Sequence, residues 1–197
     1  MQICIIYSIN IDKKTAYIID NNITNIDLII PYSIKYKETE YIVTSISEKA
    51  FRYSKIKSIQ FPKNSELQSI GKEAFFGSLI EKFTVPSRLT KICECAFQNC
   101  KQLRKIEVPL DSDLQVIDEN AFCNSSIEMF TIPRHLTEIS EETFYQCTKL
   151  KTIEFQSNSE LKTIGKYAFR SSSIESLTLP SCLTKICECA FFYCEKL

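Results

Sequence analysis

The sequence contains no tryptophan, one histidine and three glycines among its 197 residues, and each scarcity argues against a class of function. A single histidine, His135, argues against metal sites built from several histidines and against histidine-based acid–base catalysis. Three glycines leave no glycine-rich loop of the kind that binds phosphate groups. The 24 basic side chains balance the 24 acidic ones, so neither nucleic acid nor an anionic membrane is expected as a partner.

An export signal and a membrane span are also missing from the sequence. Residues 1–11 carry no basic side chain, and their apolar stretch, Ile3 to Tyr7, is shorter than the roughly 7–15 residues of a signal-peptide core. No stretch reaches the ~20 apolar residues that cross a bilayer. On these grounds we expect a soluble, unsecreted chain that does not insert into membranes.

Repetition is the dominant feature of what is present. Seven phenylalanines, six of which follow an alanine, recur at steps of 24, 22, 25, 22, 25 and 22 residues. They are Phe51, Phe75, Phe97, Phe122, Phe144, Phe169 and Phe191. A period of about 23 residues, with short and long units in alternation, is typical of a solenoid whose units pack on their neighbours.

A strand motif lies between successive phenylalanines. It reads apolar-x-x-apolar-x-apolar-Pro at 56–62, 80–86, 103–109, 127–133 and 174–180, and Gln156 replaces the proline at 150–156. Its last residues alternate between two faces, which predicts a short half-buried strand that the proline ends. A second apolar pair follows, and then a segment too short for more than one helical turn. Long units add a polar turn after the strand, which we expect to bulge from one side.

These units predict a right-handed coil with one short strand in each turn. The strands stack in parallel about 4.8 Å apart, and the opposite wall consists of turns or single-turn 3₁₀ helices. The Ala-Phe pairs and the aliphatic residues point inward and form the core. No unit buries its own apolar side, so neighbouring units supply the stability.

The combined pattern Leu-x-x-Ile-x-Val-Pro … Leu-x-x-Ile-x-x-x-Ala-Phe-x-x-Cys-x-x-Leu resembles the BspA-type leucine-rich repeat. Units 89–103, 136–150 and 183–197 carry it best. The resemblance covers residues 43–197, about six and a half units, and residues 1–42 resemble the family's β-rich N-terminal cap, in one continuous domain. It implies a parallel sheet on the concave side of the solenoid, no catalytic residues, and a surface antigen or adhesin that binds host or partner proteins.

Two columns of outward-pointing strand residues define the expected binding face, since solenoids commonly bind proteins on such surfaces. Neither column contains the tryptophan, tyrosine or arginine that usually dominates binding energy. The first column is Ser58, Lys82, Lys105, Met129, Thr152 and Ser176, and the second is Gln60, Thr84, Glu107, Thr131, Glu154 and Thr178.

Two further columns each have two interpretations. Charges at the start of each strand alternate in sign, which indicates either a cross-strand ladder that fixes register or a charged docking stripe. They are Lys57, Glu81, Arg104, Glu128, Lys151 and Glu175. The aromatic residues just after the core phenylalanines, which are Phe76, Tyr145, Phe192 and Tyr193, either pack partly against the solenoid edge or form a lateral patch for partners.

Ten cysteines fall on the repeat grid, and solenoid spacing opposes both disulfides and metal sites among them. Two units separate Cys100 from Cys147, about 10 Å along the axis, whereas a disulfide needs Cα atoms within about 7 Å. We therefore expect Cys100, Cys147 and Cys194 to be small buried hydrophobic residues. A pairing of Cys123 with Cys100 or Cys147 in a neighbouring unit stays open. No cofactor and no metal are expected.

The sequence predicts a non-enzymatic, protein-binding solenoid. The first hypothesis is an adhesin-like surface protein, based on the family resemblance. The second is an intracellular scaffold for another protein, based on the missing signal peptide and the unpaired cysteines. A thiol-dependent enzyme is a third alternative, which needs a cysteine beside a base. The last core layer, around Leu183, Ile186 and Phe191, predicts weak self-association through the C-terminal edge.

Overall fold

The computed structural model describes residues 5–21 and 27–197, which form a β-solenoid of about seven turns. This confirms the fold class expected from the repeats. Five strands begin the chain. They are β1 (Ile5–Asn10), β2 (Thr15–Asn21), β3 (Asp27–Ile29), β4 (Ser33–Tyr36) and β5 (Thr39–Ile46).

Antiparallel pairs distinguish this first part from the rest of the molecule. Strand β1 pairs with β2, and β4 pairs with β5, both antiparallel, whereas β2 and β5 are parallel to each other. The strands expected at 16–19 and 41–44 lie within β2 and β5. Of the predicted cap, residues 1–4 and 22–26 lie outside the described residues. The cap boundary at residue 42 stays a prediction.

The predicted strand motif forms one wall of the solenoid, called here the front row, except at 174–180, where the expected strand is absent and Ser176 makes only a single bridge to Thr152. Its strands are β6 (Ser58–Gln60), β8 (Lys82–Thr84), β10 (Lys105–Glu107), β12 (Met129–Ile132) and β14 (Thr152–Phe155). Strands β8, β10, β12 and β14 form one parallel sheet, and β6 pairs in parallel with β3. Each strand buries its central residue, such as Ile106 or Ile153, because side chains alternate between the two faces.

A second strand in each turn is a feature that the sequence analysis did not expect. These two-residue strands form the back row, whose first three strands continue the sheet of β1, β2 and β5 and whose last three form a parallel sheet of their own. They are β7 (Ser69–Ile70), β9 (Lys91–Ile92), β11 (Val116–Ile117), β13 (Glu138–Ile139), β15 (Thr163–Ile164) and β16 (Lys185–Ile186). Each buried isoleucine is the second member of the apolar pair that follows the front strand, except Ile186, which is exposed.

The Ala-Phe segments form a third wall, called the turn wall, which consists of turns and contains no helix among the described residues. Two residues in each turn have left-handed backbone, two positions before and two after the phenylalanine, as at Cys95 (φ 57°) and Asn99 (φ 60°). This conformation lets the phenylalanine N–H donate to the next turn, as from Phe97 to the carbonyl of Ala121 at 2.7 Å. Hydrogen bonds therefore link successive turns along this wall too.

The predicted core phenylalanines form a continuous stack along the solenoid axis. All seven rings stack on their neighbours, with centroids 4.9–5.5 Å apart. The rings from Phe51 to Phe169 are fully buried, and Phe191 is half-buried. The ring spacing is close to the spacing of hydrogen-bonded strands, so one repeat satisfies both the core and the backbone.

Candidate functional site

The front row places the two predicted face columns in register. Lys105 lies opposite both Lys82 and Met129, and Thr152 lies opposite Met129 and bridges to Ser176. In the second column, Thr84 lies opposite Glu107 and Thr131 opposite Glu154. Gln60 and Thr178 are exposed at the two ends of that column.

Two of the predicted face residues are less exposed than expected. Ser58 is buried because its hydroxyl donates to the Asp27 carboxylate on the neighbouring strand β3. Thr131 is half-buried, and the other members of both columns are exposed. The sequence analysis treated β6 as an ordinary face strand and had no signal that β3 pairs with it in parallel.

Charge on this face is largely internally balanced. Lys105 Nζ lies 2.7 Å from Glu107 Oε1, and Thr84 Oγ1 donates to Glu107 Oε2 at 2.9 Å. The Lys105 hydrogen bond, followed by that from Thr84, lowers the pKa of the exposed Glu107 carboxyl. Beside Lys82 and Thr84 the strand ends and their prolines border an open groove of about 540 Å³. The face therefore offers a polar surface with a shallow apolar margin.

The residues of alternating charge at the strand starts are joined by a ladder of backbone hydrogen bonds. From Glu81 onward, each N–H in the column donates to the carbonyl of the equivalent residue one turn earlier, as from Glu81 to Lys57 and from Lys151 to Glu128. Ion pairs join Lys57 to Glu81 at 3.1 Å and Lys151 to Glu175 at 3.5 Å. These contacts favour the register-fixing interpretation over a docking stripe.

Cys100, Cys147 and Cys194 occupy equivalent positions and share one set of contacts. The Cys147 thiol donates to the carbonyl of Phe122 at 3.1 Å and lies 3.5 Å from the Ser125 hydroxyl. Cys100 and Cys194 repeat this arrangement in their own turns. Cys100 and Cys147 are fully buried, as predicted, whereas Cys194 is half-buried. These thiols hold successive turns together.

Burial raises the pKa of five cysteine thiols, those of Cys93, Cys95, Cys100, Cys123 and Cys147. Every cysteine in the described part of the chain is free, including Cys123, whose pairing the sequence left open. Burial raises the pKa of the thiols of Cys100 and Cys147 to about 12, and burial together with Glu94 raises that of Cys95 to about 11. A nucleophilic cysteine needs the opposite shift, since the thiolate is the reactive form.

The turn wall carries an aromatic patch that the sequence identified only in part. Phe192 and Tyr193 are 45% and 58% exposed, and Phe76 and Tyr145 are half-buried. Tyr145, Phe192 and Tyr193 surround Arg170, which the sequence analysis did not single out. These rings pack against the edge and also present an exposed surface, and their role as a lateral patch for partners stays a prediction.

Residues 5–21 and 27–197 contain no group of histidine, cysteine and acidic side chains arranged to hold a metal ion. Over the same ranges, no helix has the length and apolar character that crossing a membrane requires.

Solved structures similar to this one are bacterial leucine-rich repeat proteins. A leucine rich cell surface protein from Faecalibacterium prausnitzii superposes with a TM-score of 0.83 at 25% identity, over 97% of this chain and 51% of that protein. This chain thus spans about half the length of that protein. A leucine rich repeat protein from T. pallidum gives 0.67 at 20% identity, over 85% and 86% of the two chains. One from Bacteroides ovatus gives 0.58 at 19%, over 98% and 68%. The last two show the fold alone.

Sequence comparison identifies the repeats themselves. No curated protein matches the chain at a significant level. The family described as "BspA type Leucine rich repeat region" matches with six copies, over residues 2–68, 32–140 and 68–197. The chain therefore belongs to the BspA-type leucine-rich repeat family.

Proposed function

We propose that this chain is a non-catalytic, protein-binding surface antigen of the adhesin type, which contacts its partner through the front row. The observation that supports this most is the exposed face itself, with ten exposed positions, eight of which lie on the parallel strands of the front row. Solenoids use such extended surfaces to bind proteins. The raised thiol pKa values of Cys100 and Cys147 add support, because they disfavour these two thiols as nucleophiles.

The adhesin role is tested by labelling intact source cells with a membrane-impermeant amine reagent. We expect this chain to be tagged while cytosolic control proteins stay unlabelled. The exposed lysines of the front row, Lys82 and Lys105, supply reactive amines. Detectable but untagged protein would contradict surface display.

The contact face is tested by charge reversal. We expect Lys82→Glu combined with Lys105→Glu to weaken binding to the host-cell surface, because both side chains project from the centre of the face. Lys55→Glu combined with Lys149→Glu is the matched control, since it makes the same charge change at exposed positions outside the front row. Equal loss in both double variants would refute the front row as the contact face.

A second candidate is an intracellular scaffold that uses the same solenoid, and the free cysteines favour it. Secreted proteins commonly oxidise their cysteines, whereas reducing compartments keep them as thiols. The labelling experiment separates the two candidates, since a scaffold stays untagged in intact cells.

Self-association through the C-terminal edge stays a prediction. Strand β16 ends the back row. Its Ile186 is 49% exposed, and Leu197 is 54% exposed. Sedimentation velocity across a concentration series tests it, with Ile186→Lys as the variant that should remain monomeric. A wild-type chain that stays monomeric at high concentration would overturn it.

A further inference from the structure

Arg170 lies inside a cage of aromatic rings on the turn wall. Its guanidinium carbon is 5.6 Å from the ring centroid of Tyr145, 5.2 Å from Tyr167, 5.3 Å from Phe192 and 5.8 Å from Tyr193. These five residues are called here the Arg170 patch. Contacts at such distances stabilise a cation against the π face of a ring. Tyrosine and arginine are also the residue types that most often dominate protein interfaces.

The Arg170 side chain has no acceptor for its hydrogen-bond donors in the described ranges. Its Nε is buried and makes no hydrogen bond, and no carboxylate forms an ion pair with the guanidinium. A buried donor without an acceptor is rare in native proteins, because its lost hydration is not replaced. The patch thus holds a partly desolvated cation that has no counter-charge in the described ranges.

Arg52, on the same wall, has the carboxylate partner that Arg170 lacks. Arg52 occupies the equivalent position, directly after the core phenylalanine, and its guanidinium carbon lies 5.0 Å from the rings of both Tyr53 and Phe76. Here a carboxylate is present, since Arg52 Nε lies 3.3 Å from Glu73 Oε2. The same aromatic setting therefore contains a paired arginine near one end of the solenoid and an unpaired arginine near the other.

The repeat register explains this difference. Glu73 stands two positions before Phe75, in the turn that follows Arg52. The corresponding position in the turn after Arg170 is Cys189, which carries no charge partner for a guanidinium. The adjacent carboxylate, Glu188, is already paired with Lys166 at 3.3 Å. Within the described chain no carboxylate takes the place beside Arg170 that Glu73 takes beside Arg52.

We propose that the Arg170 patch binds a carboxylate side chain of a partner protein, in an acidic segment that lies across the turn wall. This inference rests on the proposed protein-binding function and names a second contact surface and its chemistry. A carboxylate matches the planar guanidinium in charge and in paired hydrogen-bond geometry. The surrounding rings remove part of the hydration of the guanidinium, which strengthens the attraction between the two charges. The exposed rings of Phe192 and Tyr193 supply apolar contact beside it.

The test is an NMR titration of the ¹⁵N-labelled full chain that follows the Nε–Hε signals of its arginines. The probe is an acetylated, amidated hexaglutamate peptide, and the control is the hexaglutamine peptide of equal length. We expect the Arg170 signal to shift and saturate with hexaglutamate alone. The Arg52 signal should stay in place, because Glu73 already occupies that guanidinium.

Two variants sharpen the result. Arg170→Gln should weaken hexaglutamate binding by about tenfold or more, since a hydrogen bond to a charged group contributes about 1.5–3 kcal/mol. Arg52→Gln should leave the affinity unchanged. The backbone spectrum of each variant shows whether it is folded, and the wild-type titration needs no variant at all.

Several outcomes would overturn the proposal. They are an unmoved Arg170 signal, equal shifts at Arg52 and Arg170, and the same shift with hexaglutamine. Failure of this proposal can be distinguished from failure of the proposed function. Surface labelling with an unmoved Arg170 signal would remove only this patch, and a shifted Arg170 signal with no surface labelling would remove only the adhesin role.

Discussion

The middle turns of the solenoid and its last turn carry the same sequence motif in different surroundings. Phe122 is fully buried between Phe97 and Phe144, at 5.5 Å from each, whereas Phe191 is half-buried and stacks only on Phe169. In the back row, Ile164 is fully buried and Ile186 is 49% exposed. Burial in this molecule is therefore conferred by the adjacent turn, because the motif cannot cover its own apolar side.

The largest expected effect on stability is at the stack of core phenylalanines, where the middle turns and the last turn should differ. Phe122→Ala should lower the free energy of unfolding by about 3–5 kcal/mol, since it leaves a cavity between two rings. Phe191→Ala should cost less than half as much, because its ring has a single stacking partner. Urea denaturation of both variants measures the difference, and equal losses would show that the last turn is as well covered as the middle.

A close backbone approach gives the next largest effect. A Cβ on Gly165 would lie 2.7 Å from the carbonyl carbon of Ser140 and 2.8 Å from the Glu141 nitrogen, so the adjacent turn would have to move. We expect Gly165→Ala to destabilise the chain by about 1–3 kcal/mol, the usual cost of overpacking. Cys187→Ala, at the same position in the last turn, is the control and should cost less. A thermal midpoint of Gly165→Ala equal to that of wild type would contradict the close approach.

The protection of thiols from alkylation should also differ between the middle turns and the last turn. Burial raises the pKa of Cys147 to about 12, so at pH 8 its thiol stays protonated and enclosed. Cys194 makes the same contacts in the last turn but is half-buried. Iodoacetamide should therefore modify Cys194 long before Cys147 in the native chain, and both in urea, as followed by peptide mass spectrometry. Equal native rates would indicate that the middle turns open as readily as the last.

The smallest effect is expected at the ladder of alternating charges. Lys151 and Glu175 are paired at 3.5 Å, with 58% and 55% of their side chains exposed. Because water screens such a pair, Glu175→Gln should change the free energy of unfolding by at most about 0.5 kcal/mol. A double-mutant cycle with Lys151→Met isolates the pair. A coupling energy well above 1 kcal/mol would show that this ladder stabilises the fold beyond fixing register.

Sequence periodicity was sufficient to predict the core and the front row. The phenylalanine grid leads directly to the stack, and the alternation before each proline leads to the strands and to the register of Lys82, Lys105 and Met129. Both predictions rest on side-chain chemistry that repeats in every turn. The family was recognisable for the same reason, because its consensus consists largely of these buried positions.

Features that depend on backbone conformation or on single turns were harder to predict. The back-row strands have two residues each, too few for an alternation signal. Left-handed positions such as Cys95 and Tyr167 are not glycine, so the residue type did not reveal them. The pairing of Ser58 with Asp27 depends on a contact across 31 residues. The unpaired state of Arg170 is recognised only when equivalent turns are compared, and that comparison requires the register that the structure supplies.

The hydrogen bonds that join successive turns run along the axis of the solenoid, from turn to turn, on all three walls. A pulling force applied between the two ends of the chain therefore loads these bonds one turn at a time and does not shear a whole sheet at once. Each turn that detaches releases about 23 residues, which extend to about 80 Å at roughly 3.4 Å per residue. The molecule should therefore lengthen in steps as single turns detach, and the detached turns should refold on the turns that remain.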